Sequence, residues 1–302
     1  MMNPDGLSPE ALKRLEAMPD GRGPDPDPDP DFDDHAAVAD WRATAHEAWG
    51  EGPVGGEVTH RPETVAGVPC LVAGPEASSG PWADSVTIMH LHAGGYCLGS
   101  PGIDVPITSR LARRFHVVSV DYRLAPEHPY PAALDEAERV FRALTATGPV
   151  IISGVSAGGG LAIGVAGRCP ESPPVGLVLL CPHLDFGAST GRELVGYERA
   201  YLAGHPADDA EVSPADGPVS RLAALPPILT QASTTEHLYA SIERFGTAAT
   251  EAGAEVVWQV WDGLWHAWHY HRELPEAWAA MDEVTDWVES LADEVGSAVT
   301  GP

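Results

Sequence analysis

The stretch that most constrains this chain runs from Val150 to Leu161 and reads Val-Ile-Ile-Ser-Gly-Val-Ser-Ala-Gly-Gly-Gly-Leu. A short β-branched run ends in Gly-x-Ser-x-Gly, and a small-residue helical pattern follows. Strand, sharp turn and helix in that order present a serine hydroxyl at the head of a helix. Such a turn strains the backbone of the serine, and Gly154 and Gly158 remove the Cβ atoms that would collide with it. Amides at the start of a helix near Ala157 stabilise negative charge beside Ser156. Gly-rich turns are common in α/β proteins, so the rest of the chain has to decide what this serine is for.

Composition narrows the field. A chain of 302 residues, 44% of them hydrophobic, holds one large α/β domain or two small ones. The formal charge of −27 argues against nucleic acid and anionic membranes as partners and disfavours a strongly anionic substrate. Its plainest use is solubility. Lys13 is the only lysine, which removes lysine-centred chemistry. Cys70, Cys97, Cys169 and Cys181 form no Cys-x-x-Cys pair and read as buried free thiols. Met1 to Pro19 carries charges and no apolar core, and no stretch has the length of a membrane span. A cytoplasmic location is the expectation.

Ser8 to Met18 has the spacing of a short helix, with Ser8 as N-cap and Leu7, Leu12 and Leu15 as apolar positions. Asp25 to Asp34 is an Asp-Pro repeat, expected to be an extended acidic linker. His35 to Trp49 returns to helical spacing through Val38, Trp41, Ala45 and Ala48, and pairing the two helices would make a cap over a site. From there strands alternate with helices. Strands are expected at 57–60, 68–73, 85–92, 116–121, 150–153, 175–181, 228–232 and 256–260. Helices are expected at 104–115, 132–147, 238–252 and 276–295. This alternation means a mostly parallel sheet covered on both faces. Residues 185–225 are irregular and too long for a plain loop, so they read as a cap insertion.

His92-Ala93-Gly94-Gly95-Tyr96-Cys97 follows the strand ending near His92. Glycines at a strand's C-terminal end let backbone amides point into a crevice, as an oxyanion hole requires. His90 and His92 are expected to hold loop backbone.

Asp121-Tyr122-Arg123-Leu124-Ala125-Pro126-Glu127-His128-Pro129-Tyr130-Pro131-Ala132-Ala133-Leu134 resembles a signature of the hormone-sensitive-lipase-like esterases. His92-Ala93-Gly94-Gly95 resembles their His-Gly-Gly-Gly loop, with Ala93 in place of a glycine. Gly154 to Gly159 resembles their serine elbow, and Trp261 to Trp268 the segment carrying their histidine. The resemblance runs in order from about Gly55 to the C-terminus. It implies an α/β-hydrolase core over 55–302, a cap from residues 1–54 and 185–225, and ester hydrolysis without cofactor or metal. It makes Ser156 the nucleophile and His266 the base. Gly94, Gly95 and the Ala157 amide become the oxyanion hole. Asp121 and Glu127 become structural partners of nearby loops.

The third triad member departs from the family pattern. Aligning from Gln231 puts Thr235 where family members carry an aspartate, with Glu236 next to it. Three readings stand. Glu236 reaches His266 after a small loop shift, Thr235 merely orients the imidazole, or the site does other chemistry with the same Ser and His. Asp262 is a poor substitute, only four residues before His266.

His266, His269 and His271 have a spacing that invites a metal, but the triad explains His266 and the aromatic residues between them read as packing. Trp265 and Trp268 are expected to line the pocket, as are Tyr96 and Cys97, with Cys97 the weaker candidate nucleophile. His183 and Asp185 follow a strand end, where they would touch either substrate or cap. The leading expectation is a serine hydrolase for a small, largely uncharged ester. The alternatives are a tailoring dehydratase, cyclase or acyl transferase, and a silent ligand-binding protein. The only partner expected is a small-molecule substrate, and a homodimer is compatible with the sequence.

Overall fold

The computed structural model describes residues 6–18, 30–49, 58–75, 86–187 and 190–299. The strands are β1 (Val58–Val65), β2 (Val68–Pro75), β3 (Thr87–Leu91), β4 (His116–Val120), β5 (Val150–Val155), β6 (Gly176–Leu180), β7 (Ile228–Ser233) and β8 (Val256–Trp261). The helices are α1 (Pro9–Glu16), α2 (His35–Trp49), α3 (Val105–Leu111), α4 (Ala132–Thr145), α5 (Ala157–Arg168), α6 (Gly196–Leu202), α7 (Val219–Leu222), α8 (Tyr239–Ala252) and α9 (Pro275–Val299). Residues 25–29 of the Asp-Pro stretch and the boundary expected at 54/55 lie outside the described residues.

The strands form one sheet in the order β1-β2-β4-β3-β5-β6-β7-β8. β1 pairs antiparallel with β2 and β2 with β4, and every later pair is parallel. The near-continuous apolar run of β5 follows from burial on both faces. Val150 and Ile152 face a core with Leu134 and Phe141 of α4, Leu161 of α5 and Phe245 of α8. Ile151 and Val155 face Ile107 and Leu111 of α3 and Met281, Val284 and Val288 of α9. β3 lies between β4 and β5, so the chain reverses its winding there. A crevice opens at such a point beyond the strands' carboxyl ends.

The N-terminal helices are tied to this core by polar contacts. The Ser8 hydroxyl caps α1 by accepting the Ala11 amide at 3.1 Å, and it donates to Glu276 of α9 at 2.9 Å. Leu12 is exposed instead of packed, and the buried position on α1 is Ala11. Asp34, the last residue of the expected linker, caps α2 by accepting the Ala36 and Ala37 amides. Arg42 of α2 donates to the carbonyls of Cys97 and Ala125, both at 2.7 Å, and pairs with Glu127. Glu127 is thus the loop partner that the resemblance implies.

The stretch 185–225 is more ordered than its composition suggests, with α6, a 3-10 turn at Pro214–Asp216 and α7. A buried carboxylate anchors it. Glu198 of α6 accepts from His183 at 3.0 Å, from Arg192 at 2.7 Å and from the Val195 amide at 2.9 Å. Burial alone would raise the Glu198 carboxyl, but the bonds from His183 and Arg192 override it and hold it at about 2. A carboxyl depressed in the folded state adds stability that is complete above its unfolded value of 4.5 and is lost as pH falls toward 2. Glu198→Gln should therefore unfold at a lower temperature than wild type at pH 7. The gap should close as pH drops from 4.5, read by thermal denaturation of both proteins across that range.

Candidate active site

At the end of β5 the backbone turns sharply. Ser156 sits at φ 52°, ψ −116°, a strained conformation for a residue with a side chain. The flanking glycines are required by close approach. A Cβ on Gly154 would lie 2.2 Å from the Gly158 carbonyl oxygen, and one on Gly158 would lie 2.0 Å from that of Leu91. The Ser156 carbonyl accepts from the amides of Gly159 and His183, both within 2.9 Å, which pins the turn from two sides.

The loop after β3 closes on itself. The Cys97 and Leu98 amides both donate to the Gly94 carbonyl, at 3.0 and 2.9 Å. Gly94 at φ 125° could not carry a side chain, since a Cβ there would lie 2.0 Å from the Leu98 carbonyl oxygen. Among the described residues, the amides of Gly94, Gly95 and Ala157 have no protein acceptor. Backbone N–H groups in folded cores are nearly all paired, so three unspent donors are unusual.

Ser156, His266 and Glu236 come from three separate loops and meet in one line. The Ser156 hydroxyl lies 3.0 Å from His266 Nε2, and His266 Nδ1 lies 2.6 Å from a Glu236 carboxylate oxygen. The other Glu236 oxygen accepts the Ser233 amide at 2.9 Å. The Glu236 side chain is fully buried, whereas the imidazole keeps 18% of its surface open. A carboxylate on Nδ1 fixes that nitrogen as the N–H and leaves Nε2 to accept from the serine.

Thr235 does not touch the imidazole. Its hydroxyl donates to the Leu264 carbonyl, which the Ser233 hydroxyl also reaches, at 2.5 Å. Thr234 donates to Asp262. These three hydroxyls clamp the histidine-bearing loop from below, and the longer arm of Glu236 reaches past them.

Other expectations for the site also change. Trp265 and Trp268 are almost wholly buried, in a cluster with Ala11 of α1 and Leu274, Ala277 and Ala280 around the start of α9. These rings pack under the histidine loop. Tyr96 is buried against Tyr201 and Phe186, with ring centres 3.9 and 5.6 Å away. Cys97 is buried too, with its thiol donating to the Tyr197 carbonyl. Two residues that the sequence did not single out stand against the loop glycine and the histidine. Tyr197 of α6 lies over Gly95, 3.0 Å from where a Cβ would be. His237 sets its ring edge-on to His266 with centres 4.9 Å apart. Adjacency to Glu236 was a signal for His237, but Tyr197 had none in its irregular surroundings.

His90 bonds Ser153 and Asp104, and His92 accepts a structural place against the Ala93 carbonyl and the Tyr122 ring. His183 and Asp185 hold Glu198 and Arg244, so they serve the insertion and α8. His269 bonds Gln231, and His271 pairs with Glu273, so the three histidines of that segment point to different partners. One trio of metal-ligand types stands close among the described residues: Cys181, Glu236 and His266, with ligand atoms within 4.8 Å of one another. Ligands 2.0–2.3 Å from a zinc ion sit about 3.3 Å or more apart, and the 2.6 Å between Glu236 and His266 is a hydrogen bond's spacing.

Comparison with known proteins bears on the fold and family. The sequence profile of the α/β-hydrolase fold matches residues 88–270. An esterase of Acinetobacter venetianus is 32% identical over 226 residues, covering 68% of this chain and 75% of that protein. An acetyl-hydrolase of Streptomyces hygroscopicus is 34% identical over 223 residues, covering 66% and 74%. The crystal structure of an esterase from the bacterial hormone-sensitive lipase family superposes with a TM-score of 0.79 at 26% identity, over 95% of this chain and 100% of that one. On these likenesses, this chain belongs to the hormone-sensitive-lipase-like α/β-hydrolases and is a carboxylesterase-type serine hydrolase.

Proposed function

We propose that Ser156, His266 and Glu236 form the catalytic triad and that the amides of Gly94, Gly95 and Ala157 form the oxyanion hole. The observation that carries this reading is the unbroken line of contacts, 3.0 Å from serine to imidazole and 2.6 Å from imidazole to carboxylate. His266 Nε2 takes the hydroxyl proton as Ser156 Oγ attacks the ester carbonyl. The imidazolium is stabilised by the buried Glu236 carboxylate, and the tetrahedral oxyanion by the three amides. His266 then gives the proton to the leaving alcohol, and water hydrolyses the acyl-enzyme by the same steps in reverse.

The substrate in this reading is a small, largely uncharged ester. A net charge of −27 disfavours anionic substrates. Tyr197 stands against Gly95 of the oxyanion loop, where it would limit the size of an acyl group, and the acetyl-hydrolase relative supports short acyl groups. Residues 185–225 and α2, held to the oxyanion loop by Arg42, act as the cap. The four cysteines are all free and buried, which suits a reducing cytoplasm.

A fluorophosphonate probe should label wild type and fail to label Ser156→Ala. Labelling of wild type that survives in Ser156→Ala would sink the assignment. Glu236→Gln should lower turnover of p-nitrophenyl acetate by about 10⁴, the size of effect seen when such an acid is neutralised, while Thr235→Val should change it far less. Gly94→Ala should cost about 10²–10³ in kcat through loss of the oxyanion geometry, with steady-state kinetics separating kcat from KM.

A further inference from the structure

Cys181 is a buried thiol that the triad does not use, yet it stands at the triad's base. It follows β6 in the left-handed region at φ 48°, and its amide donates to Gln231 of β7 at 2.8 Å. That turn brings its sulfur, a Glu236 carboxylate oxygen and a His266 ring nitrogen within 4.8 Å of one another. The Ala267 amide, next to His266, donates to the Cys181 sulfur at 3.4 Å, and Ala267 is itself left-handed at φ 56°. Two residues in an uncommon backbone conformation therefore meet at one N–H···S contact beside the acid.

We propose that Cys181 is a positioning residue: its S–H donates to the Glu236 carboxylate while its sulfur accepts the Ala267 amide, locking the acid loop to the histidine loop. This rests on the reading of Glu236 as the triad acid. The carboxylate takes the Ser233 amide on one oxygen and His266 on the other. A carboxylate has about four lone-pair sites, so acceptor capacity remains, in a place closed to water. Burial, and then the neighbouring Glu236 charge, push the thiol well above its ordinary range, so it stays protonated and is the donor of the pair. The need for a third anchor follows from the shift of the acid by one position. A glutamate has one more rotatable bond than an aspartate, and each added anchor removes rotamers that miss the imidazole.

The test combines kinetics with the infrared S–H stretch, isolated as the difference between wild type and Cys181→Ser. The Cys181 band should lie at lower wavenumber than that of a free thiol and move up in Glu236→Gln. Cys181→Ala should lower kcat about tenfold with KM unchanged, the scale of a small displacement at a reacting group. Cys181→Ser, which keeps a donor, should recover most of that loss. A band that does not move in Glu236→Gln, or wild-type kcat in Cys181→Ala, would overturn the inference even if the triad stands. Full activity of Glu236→Gln would instead remove the acid reading on which it rests. The same Cys181→Ser subtraction is made in the Glu236→Gln background, so the band result does not depend on the folding of the alanine variant.

Discussion

The close approach of Gly158 to the Leu91 carbonyl is the constraint on which the rest of the site depends. With only a hydrogen in the way, the head of α5 seats against the end of β3. Ala157 directly precedes Gly158, and the loop of Gly94 and Gly95 directly follows the end of β3. A methyl group at Gly158 would separate two backbones that must touch. The strain at Ser156 is held by the same packing, through amides from both sides of its carbonyl.

Around that contact, three buried carboxylates each have partners. Glu236 faces His266 and the Ser233 amide, and Glu198 faces His183, Arg192 and the Val195 amide. Asp104 receives His90 and the Tyr270 hydroxyl. An unpaired carboxylate in such surroundings would cost several kcal/mol or take up a proton. The pairings link loops far apart in sequence, so each also fixes geometry. His183 shows this best, because its side chain holds the insertion through Glu198 while its amide holds the Ser156 carbonyl.

The framework was legible in the sequence because its signals are local. The β5 run, the glycines of the elbow and the helix-strand alternation depend on nearest neighbours and on periodicity, and the structure has them where the pattern puts them. The N-terminal helices were legible for the same reason, with Ser8 as the cap of α1. Packing partners were not. Trp265 and Trp268 flank His266 in sequence and were expected in the pocket, but α1 and α9 cover them, and no local pattern says that two helices at opposite ends of the chain meet there.

The sequence alone determined the order of the fold, the serine, the histidine and the glycine loop, because each sits in a motif whose spacing carries its own geometry. Only the tertiary structure sets a carboxylate against the imidazole. Thr235 and Glu236 are neighbours, and the choice between them turns on how the loop after β7 docks against a histidine 30 residues away. Docking spends the Thr235 hydroxyl on the Leu264 carbonyl and leaves the longer Glu236 side chain to span the gap. It also brought Tyr197, His237 and Cys181 to the site, three residues whose place depends on where separate loops end in space.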